Sequence, residues 1–399
     1  MHSGKRQLMR RFAALKINMN THTKENISNG WIHSKEYDLS LILGGAFITL
    51  LFALLSLAQP TLIPFLFWVW VVGFEGSHFW ATWARTYFDS DFRRTHSRLL
   101  IGSLLFFALP VLALTHRNMS GSDSLVNGFG FFIFSWSLYH NARQHYGFMS
   151  IYARKSESSN ERSFGRLKAL LYASVIIPQA YFFSHFKFPL FRGADPETIF
   201  KAQDLDLSTI FLLLCAIGSL LALLSIRNNF FNRGDPALKM AWTYTLGCWV
   251  FYTLMFFVIT QFEPIYFSPK NVPQMLMVVT VMNSLFHNIQ YHAIVWHYGN
   301  TLNQKRINKP DSINGIFTSS KVYVTFSIVL GLLFGFVVWN LGDWPSPTGA
   351  WTPSPMADWA YVIFFGIIGH HFYLDQKIWR PSRQTELRAT LGLGANHAK

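Results

Sequence analysis

The sequence predicts an all-α polytopic membrane bundle of about ten transmembrane helices, with both termini on the cytoplasmic side. Three observations carry this reading. The 399 residues are 51% hydrophobic and only 14% charged, with mean hydropathy +0.22, too apolar and charge-poor for an ordinary soluble domain. Ten runs approach the roughly 20 apolar residues that a helix needs to cross a bilayer. Basic residues also alternate between successive loops, and positive charge in short loops marks the cytoplasmic side.

The elements follow from these patterns in order. Segment 1–38 carries seven Lys or Arg and no uninterrupted apolar core before a small-residue cleavage site. It reads as a basic cytoplasmic tail resting on anionic lipid, not as a cleaved signal. Runs at 39–59 and 62–84 lead to a loop that, with its flanking helix ends, holds four basic residues. Runs at 99–115 and 126–146 lead to six, 168–186 and 207–226 to three, and 240–261 and 275–297 to four. Runs at 321–341 and 358–375 end in a cytoplasmic tail, 376–399, with five. Thus 29 of 34 basic residues fall on one side, against Arg117, Lys187, Arg192, Lys201 and Lys270 on the other. A missed span would scramble this alternation downstream. The net charge of +14 is thereby explained by inner loops, without a nucleic-acid partner.

Residues 39–375 form one membrane-embedded domain, because no loop is long enough for a core of its own. The chain is expected to be a multi-pass integral membrane protein, in the inner membrane if the cell is bacterial. Cys215 and Cys248 each fall within a span, which supports neither a disulfide framework nor a thiolate zinc site. No internal repeat, phosphate loop or dinucleotide fingerprint is present.

Of fifteen histidines, eight lie in four short stretches. FEGSHFW carries Glu75 and His78, and LYHNARQHYG carries His140 and His145. HNIQYHAIVWHY carries His287, His292 and His297, and GHHFYLD carries His370, His371 and Asp375. All four stretches map near the cytoplasmic ends of even-numbered spans, hence to one leaflet. A lone interfacial histidine is ordinarily an amphipathic residue. Clustered intramembrane ionisable groups point instead to function, and imidazole with carboxylate suits iron, zinc or copper. Eight histidines with Glu75 and Asp375 exceed the needs of one metal, so two metals, or one with supporting partners, account for them.

Glu75 and His78, three apart, and His371 and Asp375, four apart, each share a helix face, so the carboxylates could ligate or orient an imidazole. The five-residue spacings turn the chain by about 140° on an ideal helix, so neighbouring histidines diverge. Either the helix loosens there, its end unwinds, or each histidine serves a different metal. His297, closest to the polar segment NTLNQKR, is the first candidate to fall outside the set. His96, His116 and His185 read as loop or interface residues, with His96 on the correct side for an outer role. His2, His22, His33 and His397 belong to the tails.

This pattern resembles the membrane-bound histidine-box superfamily of fatty acid desaturases, hydroxylases and alkane monooxygenases. HNARQH, His140 to His145, and HNIQYH, His287 to His292, match its H-x(3–4)-H box, and the His370-His371 pair is similar to its doubled histidine. No H-x-x-H-H occurs, and the spans outnumber those usual in that superfamily. The resemblance implies two irons held by histidines, and O₂ chemistry on a lipid-like substrate.

The expected function is therefore a membrane oxidoreductase whose histidine-bound di-iron centre hydroxylates, desaturates or oxidatively cleaves a lipophilic substrate. Membrane lipid supplies the surroundings. Electrons would come from a separate donor such as a ferredoxin-like protein, since no flavin, nicotinamide or cluster motif is present. Zinc in the same ligands is the alternative metal. A haem b electron-transfer protein and a metal transporter are the alternative functions.

Overall fold

A computed structural model of the chain describes residues 30–156, 161–185, 207–225, 235–259, 272–306, 314–341 and 356–393. Every regular element among them is helical. Ten long helices are α1 Lys35–Ala58, α2 Pro60–Arg85, α3 Ser97–Ser120, α4 Ser124–Lys155, α5 Glu161–His185, α6 Leu207–Ser225, α7 Pro236–Val258, α8 Val272–Lys305, α9 Ser320–Leu341 and α10 Ala357–Ile378. Each apolar run found in the sequence falls on one of these helices.

Five of them, α1, α2, α3, α7 and α9, are long and apolar enough to cross a membrane. The apolar character of α4, α8 and α10 is diluted by the histidine, amide and carboxylate side chains that they carry inward. Apolar side chains such as Phe47 on α1, Ile101 on α3 and Phe336 on α9 are 66–70% exposed. Outward-facing surface of this kind matches a lipid solvent.

Local chemistry sets the helix ends. Ser34 Oγ caps α1 by accepting from Tyr37 N at 3.2 Å. Asp235 Oδ1 accepts from Ala237 N and Leu238 N, with Pro236 at the first helical position of α7. Gly121, at φ 70°, ends α3 and donates to Arg117 O at 2.8 Å. Three π-turns interrupt the α-helical ladder, at Asp38–Leu43 in α1, Val71–Glu75 in α2 and Leu254–Val258 in α7. Neither α4 nor α8 contains one.

Four helices enclose the centre. α2 packs on α8 and α10, and α4 packs on the same two, so α2, α8, α4 and α10 close a ring. Around it, α1 covers α8, α3 covers α10, α7 and α5 flank α4, and α9 lies against α2. The last contact is close because Gly331 of α9 sits on the Val72 carbonyl in the π-turn of α2, where a Cβ would overlap that oxygen.

The ends of the described chain are tied to the bundle. Buried Asp38 accepts from Ile32 N, His33 N and Tyr152 Oη at 2.7, 3.1 and 2.9 Å, and Lys155 donates to Trp31 O. Beyond α10, a short helix at Thr385–Thr390 packs on α8 with Leu387 and Leu391 buried. Residues 30–38 and 376–393 are thus packed segments. Residues 1–29 and 394–399, with His2, His22 and His397, lie outside the described residues.

Candidate metal centre

Each helix of the inner ring places one histidine at its centre: His78 from α2, His140 from α4, His287 from α8 and His371 from α10. One ligand atom from each lies within 4.8 Å of all the others, and all four residues are buried. Ring centroids are 4.3 Å apart for His78–His371, 5.1 Å for His371–His140, 5.0 Å for His140–His287 and 4.9 Å for His287–His78. The histidines therefore follow the same circular order as their helices.

The spacing fits one ion. His78 Nε2 and His287 Nε2 are 3.1 Å apart, as expected for adjacent ligands about 2.1 Å from a common metal at an angle near 95°. Two metals, about 3.5–4 Å apart, would need a wider spread of donors. One ring nitrogen of each is buried without a hydrogen-bond partner: Nε2 of His140 and His371, and Nδ1 of His78 and His287, whose Nε2 atoms face each other. Such atoms are costly inside a protein unless something else satisfies them. A buried four-histidine group that can hold a metal ion is therefore present; its geometry does not identify the metal.

A second polar layer lies one helical turn further along each chain. The residues four beyond the histidines are Thr82, Gln144, Tyr291 and Asp375. Asp375 Oδ1 accepts from Tyr291 Oη at 2.7 Å and from Thr82 Oγ1 at 3.0 Å. Thr82 Oγ1 also lies 2.6 Å from Tyr291 Oη and 2.7 Å from His371 Nδ1. With Asp375 ionised and therefore only accepting, the contacts are met when Thr82 gives it its single proton and accepts from His371 Nδ1–H. In that arrangement His371 takes the tautomer that leaves Nε2 bare for a ligand. Asp375 Oδ2 stands 3.7 Å from His371 Nε2 and 4.0 Å from His140 Nε2, at the edge of the histidine set. Gln144 Nε2 donates to His287 O at 2.7 Å and joins α4 to α8. Since the step from histidine to polar layer has one sense in α2, α8 and α10, these three helices run parallel.

The other sequence candidates lie elsewhere. His145 is fully buried between two phenols, with Nδ1 at 2.7 Å from Tyr244 Oη and Nε2 at 2.9 Å from Tyr252 Oη. Cys248 Sγ lies 3.6 Å from its Nδ1, and both cysteines are free. His292 uses both nitrogens as well, on Ser77 Oγ at 2.9 Å and Tyr323 Oη at 2.8 Å. His297 stands against His33, with ring centroids 4.9 Å apart. His370 faces away from the cluster, among Trp83, Tyr87 and Phe107. Glu75 Oε2 accepts from Asn288 Nδ2 at 2.7 Å and ties α2 to the residue after His287. His96 is exposed and His116 half-buried, bonded to Thr95 and Ser120 respectively.

The five-residue spacings are thus resolved by divergence on regular helices, not by a bulge. One histidine of each pair faces the ring and the next turns into a neighbouring pocket of hydroxyls. Thr82 and Tyr291 carry no box-like signal, but the shared four-residue offset from each ring histidine was legible in the sequence. Arg85, buried one turn beyond Thr82, is stacked between Trp379 at 3.6 Å and Tyr298 at 4.2 Å and donates to Ile378 O. It pins the end of α10 to the end of α2.

A cavity of about 340 Å³ opens beside this layer, lined by His140, Gln144, Tyr291 and Asp375 at one part and by residues after α10 at another. The His140 and Asp375 side chains thus border space that a small molecule can occupy. No family model, curated protein or solved structure matches the chain.

Proposed function

We propose that this chain is a ten-pass membrane oxidoreductase, both ends cytoplasmic, that uses one non-haem iron to oxidise a lipid-like substrate with O₂. The observation that carries the reading is the convergence of one ring nitrogen each from His78, His140, His287 and His371, borne by four helices, within 4.8 Å of one another beside a cavity. Nitrogen and carboxylate donors without thiolate suit iron, zinc or copper. Iron is favoured by the resemblance of HNARQH and HNIQYH to histidine boxes. When bound, iron would supply the O₂ chemistry, with electrons delivered by a separate donor protein from the cytoplasmic side.

The chain's own residues have definable tasks. His78, His140, His287 and His371 would hold the ion, with Asp375 Oδ2 the nearest additional oxygen donor. Thr82 holds His371 in its ligating tautomer, and Tyr291 holds Asp375. Aromatic walls and near-complete burial exclude water from the histidine side. A single ion replaces the two irons of the histidine-box expectation, because four of the eight candidates meet and the other four do not. A haem held by two histidines would leave the other two converging donors without a role, so a bare ion accounts for the four more completely.

The test is metal analysis of the full chain purified in detergent, with a visible spectrum. About one iron per chain, no Soret band, and substrate-dependent O₂ uptake are expected. Metal should be lost in His140→Ala or His287→Ala and retained in His292→Ala or His297→Ala. Zinc, haem or no metal would overturn the proposal, and two irons lost with His145→Ala would restore the di-iron alternative.

A further inference from the structure

The cavity beside the metal centre has an uneven charge that the metal reading does not use. Among the described residues four arginines line it, Arg143, Arg154, Arg380 and Arg388, and Asp375 is the only acidic one. The hydrogen bonds of Arg143, Arg380 and Arg388 go to oxygens that carry no full charge. Arg143 Nη1 donates to Tyr172 Oη at 3.1 Å, and Arg380 Nε to Gln376 O. Arg388 Nε donates to Pro381 O at 3.2 Å, and Arg154 Nε to Ser150 Oγ at 3.2 Å. Among the described residues Arg143, Arg380 and Arg388 form no ion pair, so these contacts aim each of the three without neutralising it.

The placement is ordered. His140, Arg143, Gly147, Ile151 and Arg154 recur on one stripe of α4, so the cavity follows that helix away from the ring toward its C-terminal end. Opposite lie Arg380 and Arg388, on the segment that folds back after α10. Tyr139, Tyr146 and Trp379 supply apolar surface between the two ends. Guanidinium groups in a cavity match the planar geometry of carboxylate or phosphate and are the side chains best suited to bind either. A concave site with an apolar wall, one charged end and a buried metal-binding group at the other suits an amphiphile.

We propose that this cavity holds the oxyanion end of an amphiphilic ligand, a carboxylate or phosphate, on Arg143, Arg380 and Arg388, with its apolar part directed toward His140 and Asp375. The inference rests on the metal-centre reading for what the ligand is brought to, but the anion site stands on its own residues. It narrows the substrate class from any lipid-like molecule to one with an acidic end group. The arginines then fix the distance along the ligand at which it meets the histidines.

The experiment compares oleate, lysophosphatidate, oleyl alcohol and inorganic phosphate as ligands for the full detergent-solubilised chain by calorimetric titration, with metal content measured in parallel. Oleate or lysophosphatidate should bind at least about tenfold more tightly than oleyl alcohol, and the stronger of the two identifies the end group. Arg143→Gln, a change at an exposed position, should remove most of that preference with metal content unchanged. Arg143→Gln with Arg388→Gln should abolish it. Equal binding of oleate and oleyl alcohol overturns the proposal, and so does inorganic phosphate binding as tightly as lysophosphatidate. Anion preference in a chain without metal sinks the metal reading alone; metal with no anion preference sinks this one alone.

Discussion

Thr82→Val tests whether the second polar layer prepares the first. The substitution keeps shape and removes one hydroxyl, and with it contacts to His371 Nδ1, Tyr291 Oη and Asp375 Oδ1 at 2.7, 2.6 and 3.0 Å. His371 then loses the acceptor that fixes its tautomer. Asp375 retains only the Tyr291 proton on the same oxygen. Outer partners of metal-bound histidines are typically worth 10–100-fold in affinity. That corresponds to roughly 1.4–2.8 kcal/mol at 1.4 kcal/mol per tenfold. Competition with a chelator, read by metal analysis, should therefore show a 10–100-fold weaker site in Thr82→Val. Thr82→Ser, which restores the hydroxyl, should stay within about threefold of the parent. Gel filtration and helical circular dichroism of both variants report whether the bundle persists. Unchanged affinity in a folded Thr82→Val protein would refute the role given to Thr82, and equal loss in Thr82→Ser would assign the effect to packing.

Three further outcomes follow from the packing. His145→Phe should leave metal content intact and lower the thermal midpoint, because Tyr244 and Tyr252 each lose a partner but keep Gln290 and Asn141. The expected cost is at the lower end of about 1–3 kcal/mol for a buried unsatisfied group. Gly331→Val should cost about 1–3 kcal/mol or more by driving α9 off the Val72 carbonyl. Gly73→Ala, in the same π-turn but with nothing within 4 Å of the new Cβ, is the matched control and should be near neutral. Arg85→Lys should cost about 1–2 kcal/mol, since an ammonium cannot reproduce the stacking between Trp379 and Tyr298. The segment after residue 378 should become the first point of proteolysis, and a parent-like digestion pattern would count against that role.

Much of this is legible in the sequence. Apolar runs mark their own helices because a bilayer-length stretch has no other economical conformation. Five of these helices are plainly membrane-spanning in length and composition. The helices that build the site are harder to recognise as spans for the same reason that they matter: they are loaded with polar side chains that face inward. Within the site, the 140° divergence of residues five apart was computable from helical geometry alone. Which member of each pair faces the centre was not, because that depends on the roll of α4 and α8 against α2 and α10. Periodicity places Arg143 and Arg154 on the stripe of His140. Their neighbours Arg380 and Arg388 reach the same cavity only because the chain turns back after α10, and no pattern in the segment itself announces that turn.

The circular order of the four histidines also has a temporal side. Synthesis delivers His78 early, His140 and His287 in between, and His371 only when nearly the whole chain has been made. Until then, no nascent intermediate possesses all four donors, whatever the state of the earlier helices. Capture of the ion would join α2 to α10 and close a loop spanning most of the protein, withdrawing that freedom from any partly assembled bundle. Metal retention would thus report completed biogenesis. A chain truncated before residue 371 would insert most of its helices yet carry an open ring, marked for turnover by looseness at its centre.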